Sequence, residues 1–116
     1  MITYIVRLEH REDDEVEEIE VLTLAEAEEL YAHYKKDDYY GMVYIEAYAY
    51  TPGTEKRKAS IEHLEPEAGS DYKYRVHMWY SLDGGENFYY TGFGRMCETK
   101  EEVEKYINEN LIKEGE

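Results

Sequence analysis

Between Tyr72 and Cys97 the chain reads YKYRVHMWYSLDGGENFYYTGFGRMC, and this stretch restricts the fold more than any other. Tyr72, Tyr74, Val76, Met78 and Tyr80 alternate with Lys73, Arg75, His77, Trp79 and Ser81, the period-two pattern of a strand with one face buried. Asp83-Gly84-Gly85 then supplies residues that accept positive φ. Phe88, Tyr89, Tyr90, Thr91 and Phe93 bring the chain back with aromatic and β-branched side chains that suit a strand. The spacing predicts a β-hairpin onto which the rest of the chain is built, with Gly92-Phe93-Gly94 marking a bulge on its returning arm.

Ser81-x-Asp83-x-Gly85-x-x-Phe88 resembles the Asp-box, a turn signature of sialidase propellers and several unrelated β-folds. The likeness spans eight residues and implies a turn whose aspartate ties down the backbone. A single copy brings no glycosidase residues with it.

Taken in order, Ile2 to Leu8 forms a first strand with Ile2, Tyr4, Val6 and Leu8 inward. A second strand emerges from an acidic run, with Ile19 and Val21 inward and Glu18, Glu20 and Leu22 outward, so the turn falls near Glu12 to Asp14. Thr23-Leu24-Ala25-Glu26 has capping-box spacing and opens a helix from about Leu24 to Lys36, with Leu24, Ala27, Leu30, Tyr31 and Tyr34 inward. In a third strand, Met42 to Tyr50, the aliphatic face of Val43, Ile45, Ala47 and Ala49 is the core face. Met42, Tyr44, Glu46, Tyr48 and Tyr50 share the other, a tyrosine row left partly exposed. Thr51-Pro52-Gly53-Thr54 turns the chain into a fourth strand, Glu55 to Leu64, whose Lys56, Arg57 and Lys58 place it at the periphery of the sheet. Glu65 to Ser70 leads to the hairpin described above. Beyond it Thr99-Lys100-Glu101-Glu102 repeats the box and opens a second helix with Val103, Tyr106, Ile107 and Leu111 inward.

The fold expected is a single α+β domain over residues 1–116, an antiparallel sheet of about six strands with two helices on one face. The order is ββαββ-ββα: residues 1–64 hold the first ββα unit plus a strand pair, and residues 71–112 the second ββα unit. The two similar boxes admit a divergent duplication. The uncovered face is expected to carry many of the tyrosines.

Function has to be sought in charge and tyrosine, because no reaction is written here. With 28 Asp and Glu against 13 Lys and Arg, the formal charge is −15, beyond the magnitude of roughly 2–8 that solubility favours in a small domain. Repulsion disfavours direct contact with nucleic acid or an anionic membrane and favours a basic protein partner. The densest carboxylates are Glu9, Glu12, Asp13, Asp14, Glu15, Glu17, Glu18 and Glu20, a run that can stand in for the phosphates of a nucleic acid. Tyrosines number 14 against two Phe and one Trp, and Tyr39, Tyr40, Tyr44, Tyr48 and Tyr50 crowd one stretch as candidate anchors for a protein surface.

Other chemistries lack their residues. The lone Cys97 excludes an internal disulfide and reads as a small buried hydrophobe at a strand end. His10, His33, His63 and His77 have no ligand spacing, so no metal site and no cofactor are expected. No G-x-S-x-G or phosphate-cradling glycine loop occurs, and no catalytic residue is assigned. No apolar run is long enough to cross a bilayer and no signal-like segment opens the chain, which leads us to expect a cytoplasmic protein, monomeric or homodimeric.

Small size, strong acidity, many tyrosines and missing catalytic signals are together similar to the small phage-encoded anti-restriction and anti-CRISPR inhibitors. The resemblance is one of composition over the whole chain, without a shared motif. It implies a non-enzymatic inhibitor that occupies the nucleic-acid site of a host nuclease or effector complex. Two other classes fit the same composition: an interaction module, such as an antitoxin or adaptor, binding through a tyrosine face, and a sponge for a small ligand.

Overall fold

Ile2, Tyr4, Val6 and Leu8 are buried and the residues between them are not, so the expected alternation becomes the inner face of β1 (Ile2–His10). A computed structural model describes residues 2–49 and 55–111 of the chain. β1 is followed by β2 (Val16–Val21), α1 (Leu24–Lys35), β3 (Tyr40–Ala49), β4 (Lys56–His63), β5 (Tyr74–Ser81), β6 (Tyr89–Cys97) and α2 (Lys100–Leu111). The six strands form one sheet in the order β2-β1-β3-β4-β5-β6, with every neighbouring pair antiparallel. This is the α+β fold expected, element for element. Tyr50 and the turn expected at Thr51 to Thr54 lie outside the described residues.

One placement differs. β4 is an inner strand, paired with β3 on one side and β5 on the other, and the edges are β2 and β6. Its cations read as edge markers, but Ala59 and Ile61 fill the core on its inner face. Lys58 lies on the outer face, where its ammonium meets Glu46 at 2.7 Å and the Phe88 ring at 4.6 Å. Long amphipathic side chains keep their heads near water while their stems cover the sheet, so a basic run is compatible with a central strand whose outer face is open.

Both helices sit on the inner face. Leu24 and Ala27 of α1 and Val103, Ile107 and Leu111 of α2 are buried against Val6, Ile45, Ala59, Ile61 and Val76, completing a single core. The Thr23 hydroxyl accepts the Glu26 N–H at 3.2 Å, and the Thr99 hydroxyl accepts that of Glu102 at the same distance. The carboxylate half of the box differs between them. Glu102 accepts the Glu98 N–H, whereas Glu26 accepts the hydroxyl of Thr23 itself. In each ββα unit the second strand lies at an edge of the sheet and the first strand inside it.

The β5–β6 hairpin turns as the Asp-box likeness implied. Asp83 accepts the Asn87 N–H at 3.0 Å and the Ser81 hydroxyl at 2.6 Å, while Ser81 Oγ accepts the Gly85 N–H. The hydrogen bonds from Ser81 and Asn87 hold the Asp83 carboxyl far below its ordinary pKa. The bulge expected near Gly92 is present: from Tyr90 to Gly94 β6 spans four residue steps where β5 spans two, His77 to Trp79. Gly92 takes φ +85°, and a Cβ on Gly94 would lie 2.8 Å from the Val76 carbonyl oxygen.

The tyrosines are less concentrated on the open face than expected. Tyr4 is buried, and Tyr31, Tyr34, Tyr40, Tyr74 and Tyr106 pack against the core on the helix side. Tyrosine serves at the rim of this core because its ring can be buried while its hydroxyl reaches a polar neighbour.

Candidate functional site

The acidic run forms the tip of the β1–β2 hairpin and the edge strand β2. Glu12, Asp13, Asp14, Glu15, Glu17, Glu18 and Glu20 are exposed and Glu9 is half-buried. The tip is held by the Glu15 carbonyl accepting the His10 N–H and by Asp13 Oδ1 accepting the Glu15 N–H, both at 3.0 Å. An aspartate that caps its own turn in this way needs no glycine there.

The segment after α1 supports this tip. Arg11 donates its backbone N–H to the Tyr39 carbonyl and its Nε to that of Asp38, joining the tip to the loop that enters β3. His10 lies between them, with ring centroids 4.7 Å from Tyr39 and 5.6 Å from Tyr40. Its Nε2 is 2.7 Å from Glu17 Oε2, which also accepts the Tyr40 hydroxyl at 3.3 Å. The hydrogen bond to Glu17 is the main influence holding the His10 pKa above its ordinary value. Burial opposes it, and the negative charges of Asp13, Glu17 and Glu15 add to it.

Of the tyrosines singled out in the sequence, Tyr39 best fits an anchor: it stands beside the acids with 51% of its surface exposed. Tyr40 is a supporting ring, packed edge-on against Tyr34 at 5.4 Å. Tyr44 is half-buried on the open face, on the strand pairing with β1, and burial is the first cause raising its pKa. Tyr48 is not a free anchor, because its hydroxyl donates to Glu46 at 2.9 Å and accepts from Arg7 at 3.4 Å. Glu46 is 4% exposed and also takes Arg7 Nε and Lys58 Nζ. Burial would raise its pKa, but Lys58, Tyr48 and Arg7 outweigh burial and hold it low. The middle of the open face is therefore a closed ionic network with Glu18 at its margin, 3.2 Å from Arg7 Nη1.

Acidic side chains occur elsewhere too. Glu26 and Glu29 of α1 and Glu101, Glu102 and Glu109 of α2 are exposed. What distinguishes the hairpin is that its exposed carboxylates follow one another along a tip and an unpaired strand edge.

Sequence reasoning missed two features. The histidines show no ligand spacing in the sequence, yet His10 is the centre of the acidic cluster. Its carboxylate neighbours are three to seven residues away and meet it only when the hairpin closes. The second is the opposite edge, where Phe93 is 73% exposed and Tyr89, Tyr90 and Met96 are exposed with it. The signal was present in YYTGFGRMC, which is apolar at both parities, as a strand buried on both faces would be. Neither family models, nor curated proteins, nor solved structures offer a match to this chain.

Proposed function

We propose that this protein is a non-catalytic inhibitor that binds a basic, nucleic-acid-binding protein, a nuclease or effector complex in the cytoplasm, by presenting the β1–β2 hairpin in place of a phosphate backbone. The observation that carries this reading is the exposure of seven of the eight carboxylates between Glu9 and Glu20 along one tip and edge, with the Tyr39 ring beside them. Charge in that arrangement steers encounter with a cationic groove, and an exposed aromatic at its margin supplies apolar contact. A chain of net charge −15 is repelled by nucleic acid itself, so the protein that holds the nucleic acid is the target.

The test is capture from a lysate of the source cell with tagged full-length chain, followed by competition. The captured protein is to be released by salt and displaced by duplex DNA or RNA. Glu12→Lys/Asp14→Lys/Glu20→Lys is to lose it while Phe93→Ser/Tyr89→Ser retains it. A captured protein that resists salt, ignores nucleic acid and binds the lysine variant would end this reading.

The β6 edge supports a second reading. An unpaired strand with Phe93, Tyr89, Tyr90 and Met96 exposed fits an interaction module, an antitoxin or adaptor, that adds a partner strand. The same two variants then give the opposite result.

A further inference from the structure

His10 carries a feature that partner binding leaves unexplained. Its side chain is 7% exposed, and its Nδ1 is buried without a hydrogen-bond partner among the described residues. That nitrogen faces Asp13 Oδ1 at 3.3 Å and Glu15 Oε2 at 3.9 Å. At the other side of the ring, Nε2 is 2.7 Å from Glu17 Oε2, an acceptor that assigns the ring hydrogen to Nε2. With Nε2 held by Glu17, Nδ1 is left facing two carboxylates, a position that suits a cation: the proton of a charged ring, or a metal ion that takes its place.

We infer that the hairpin tip binds one divalent transition-metal ion of the Zn²⁺ type through His10 Nδ1 and the carboxylates of Asp13 and Glu15. The three donor atoms lie within 4.8 Å of one another, against metal–ligand bonds of about 2.0–2.2 Å. The His10–Asp13 spacing already suits a shared ion. Glu15, whose side chain is 75% exposed, closes the remaining gap by a change of rotamer. One imidazole with two carboxylates selects a first-row transition ion over Ca²⁺ or Mg²⁺, which prefer oxygen alone. The surroundings have the form of a supported ligand set. Glu17 fixes the tautomer of His10, Tyr40 donates to Glu17, and Asp13 is oriented by the Glu15 N–H it accepts. Three protein ligands leave a fourth position for water or for a side chain of a bound protein. The inference is independent of the partner reading, whose test uses Glu12, Asp14 and Glu20 instead.

The experiment titrates full-length protein, stripped with EDTA and dialysed, with ZnCl₂ in a non-coordinating buffer near neutral pH. Binding is followed by calorimetry and by ¹⁵N NMR of the histidine rings. The expected result is one ion per chain, with the His10 Nδ1 resonance moving to that of a metal-bound nitrogen. Because His10→Ala removes a ring packed on Tyr39 and Tyr40, the deciding variants are at the surface. Asp13→Asn keeps the oxygen that accepts the Glu15 N–H and weakens binding at least about tenfold, and Glu17→Gln weakens it about 10–100-fold through the ring it orients. Glu12→Gln, Asp14→Asn and Cys97→Ser leave it unchanged. The inference is overturned if no ion binds, if Glu12→Gln and Asp14→Asn weaken binding as much as Asp13→Asn, or if His10 Nδ1 still carries a proton at saturation.

Discussion

Glu46 shows how a single side chain can be unreadable by composition and decisive in place. In the sequence it interrupts a row of tyrosines; in the fold it is the anion on which Arg7, Lys58 and Tyr48 converge. Removing one partner from a buried ion pair strands the others. Glu46→Ala is therefore expected to destabilise the protein by about 2 kcal/mol, below the roughly 3–5 of a fully enclosed pair because Arg7 and Lys58 keep some water. Urea unfolding checks this as a lower midpoint at unchanged slope. Glu46 and Asp83 both titrate below their ordinary values of 4.5 and 3.8 in the folded chain. The unfolded chain therefore takes up protons first on acidification. Their stabilisation is complete above those values and is lost as pH falls from about 4 towards the depressed folded values. Asp83→Asn is expected to lower the melting temperature at neutral pH, with the gap to wild type closing below about pH 4. Tyr4 gives the alkaline counterpart: burial first, then the Glu104 charge, pushes its pKa from 10.0 to about 12. Its stabilisation is whole below pH 10 and fades as pH rises through 12, so a Tyr4→Phe chain should unfold less readily on that limb.

Among the elements, those with local causes were the ones legible in the sequence. The β5–β6 hairpin could be read because alternation, Asp83-Gly84-Gly85 and the Ser81–Asp83 bond all lie within one segment. Both helices were legible from a threonine cap and an apolar stripe. The position of β4 was not, since Lys58 is held over the outer face by Glu46 on β3 and by the Phe88 ring of the β5–β6 turn, neither adjacent in sequence. The site divides in the same way. The acidic tip was visible as a run of residues, whereas the support of His10 by Tyr39 and Tyr40 depends on a loop some thirty positions later. Two substitutions test the elements. Ile107→Ala, at a fully buried position of α2, is expected to cost about 2–5 kcal/mol. Gly94→Ala forces a methyl group against the Val76 carbonyl and is expected to cost about 1–3 kcal/mol. Hydrogen exchange should place that loss in the β5–β6 pairing.

The molecule as a whole is a slab of 42 × 38 × 25 Å, one sheet with one layer of helices. Its two edges differ in character: β2 is acidic and β6 aromatic. The described residues hold no helix long and apolar enough to cross a membrane. The open face between the edges is occupied by its own polar contacts, including the ion pair of Arg7 with Glu46 and the hydrogen bond between His77 Nε2 and Glu62 at 2.9 Å. A partner is thus offered an edge rather than a face, and the acidic edge is the one whose reach extends beyond contact distance, to about 8–10 Å at physiological salt. Once a captured protein is in hand, the decisive measurement is its association rate with the full chain across a range of ionic strength. The rate should fall steeply with salt for wild type and for Phe93→Ser/Tyr89→Ser, and be slow and nearly flat for Glu12→Lys/Asp14→Lys/Glu20→Lys. A rate indifferent to salt, lost with the β6 variant and kept with the lysine variant, would contradict the assignment of the acidic hairpin as the binding surface.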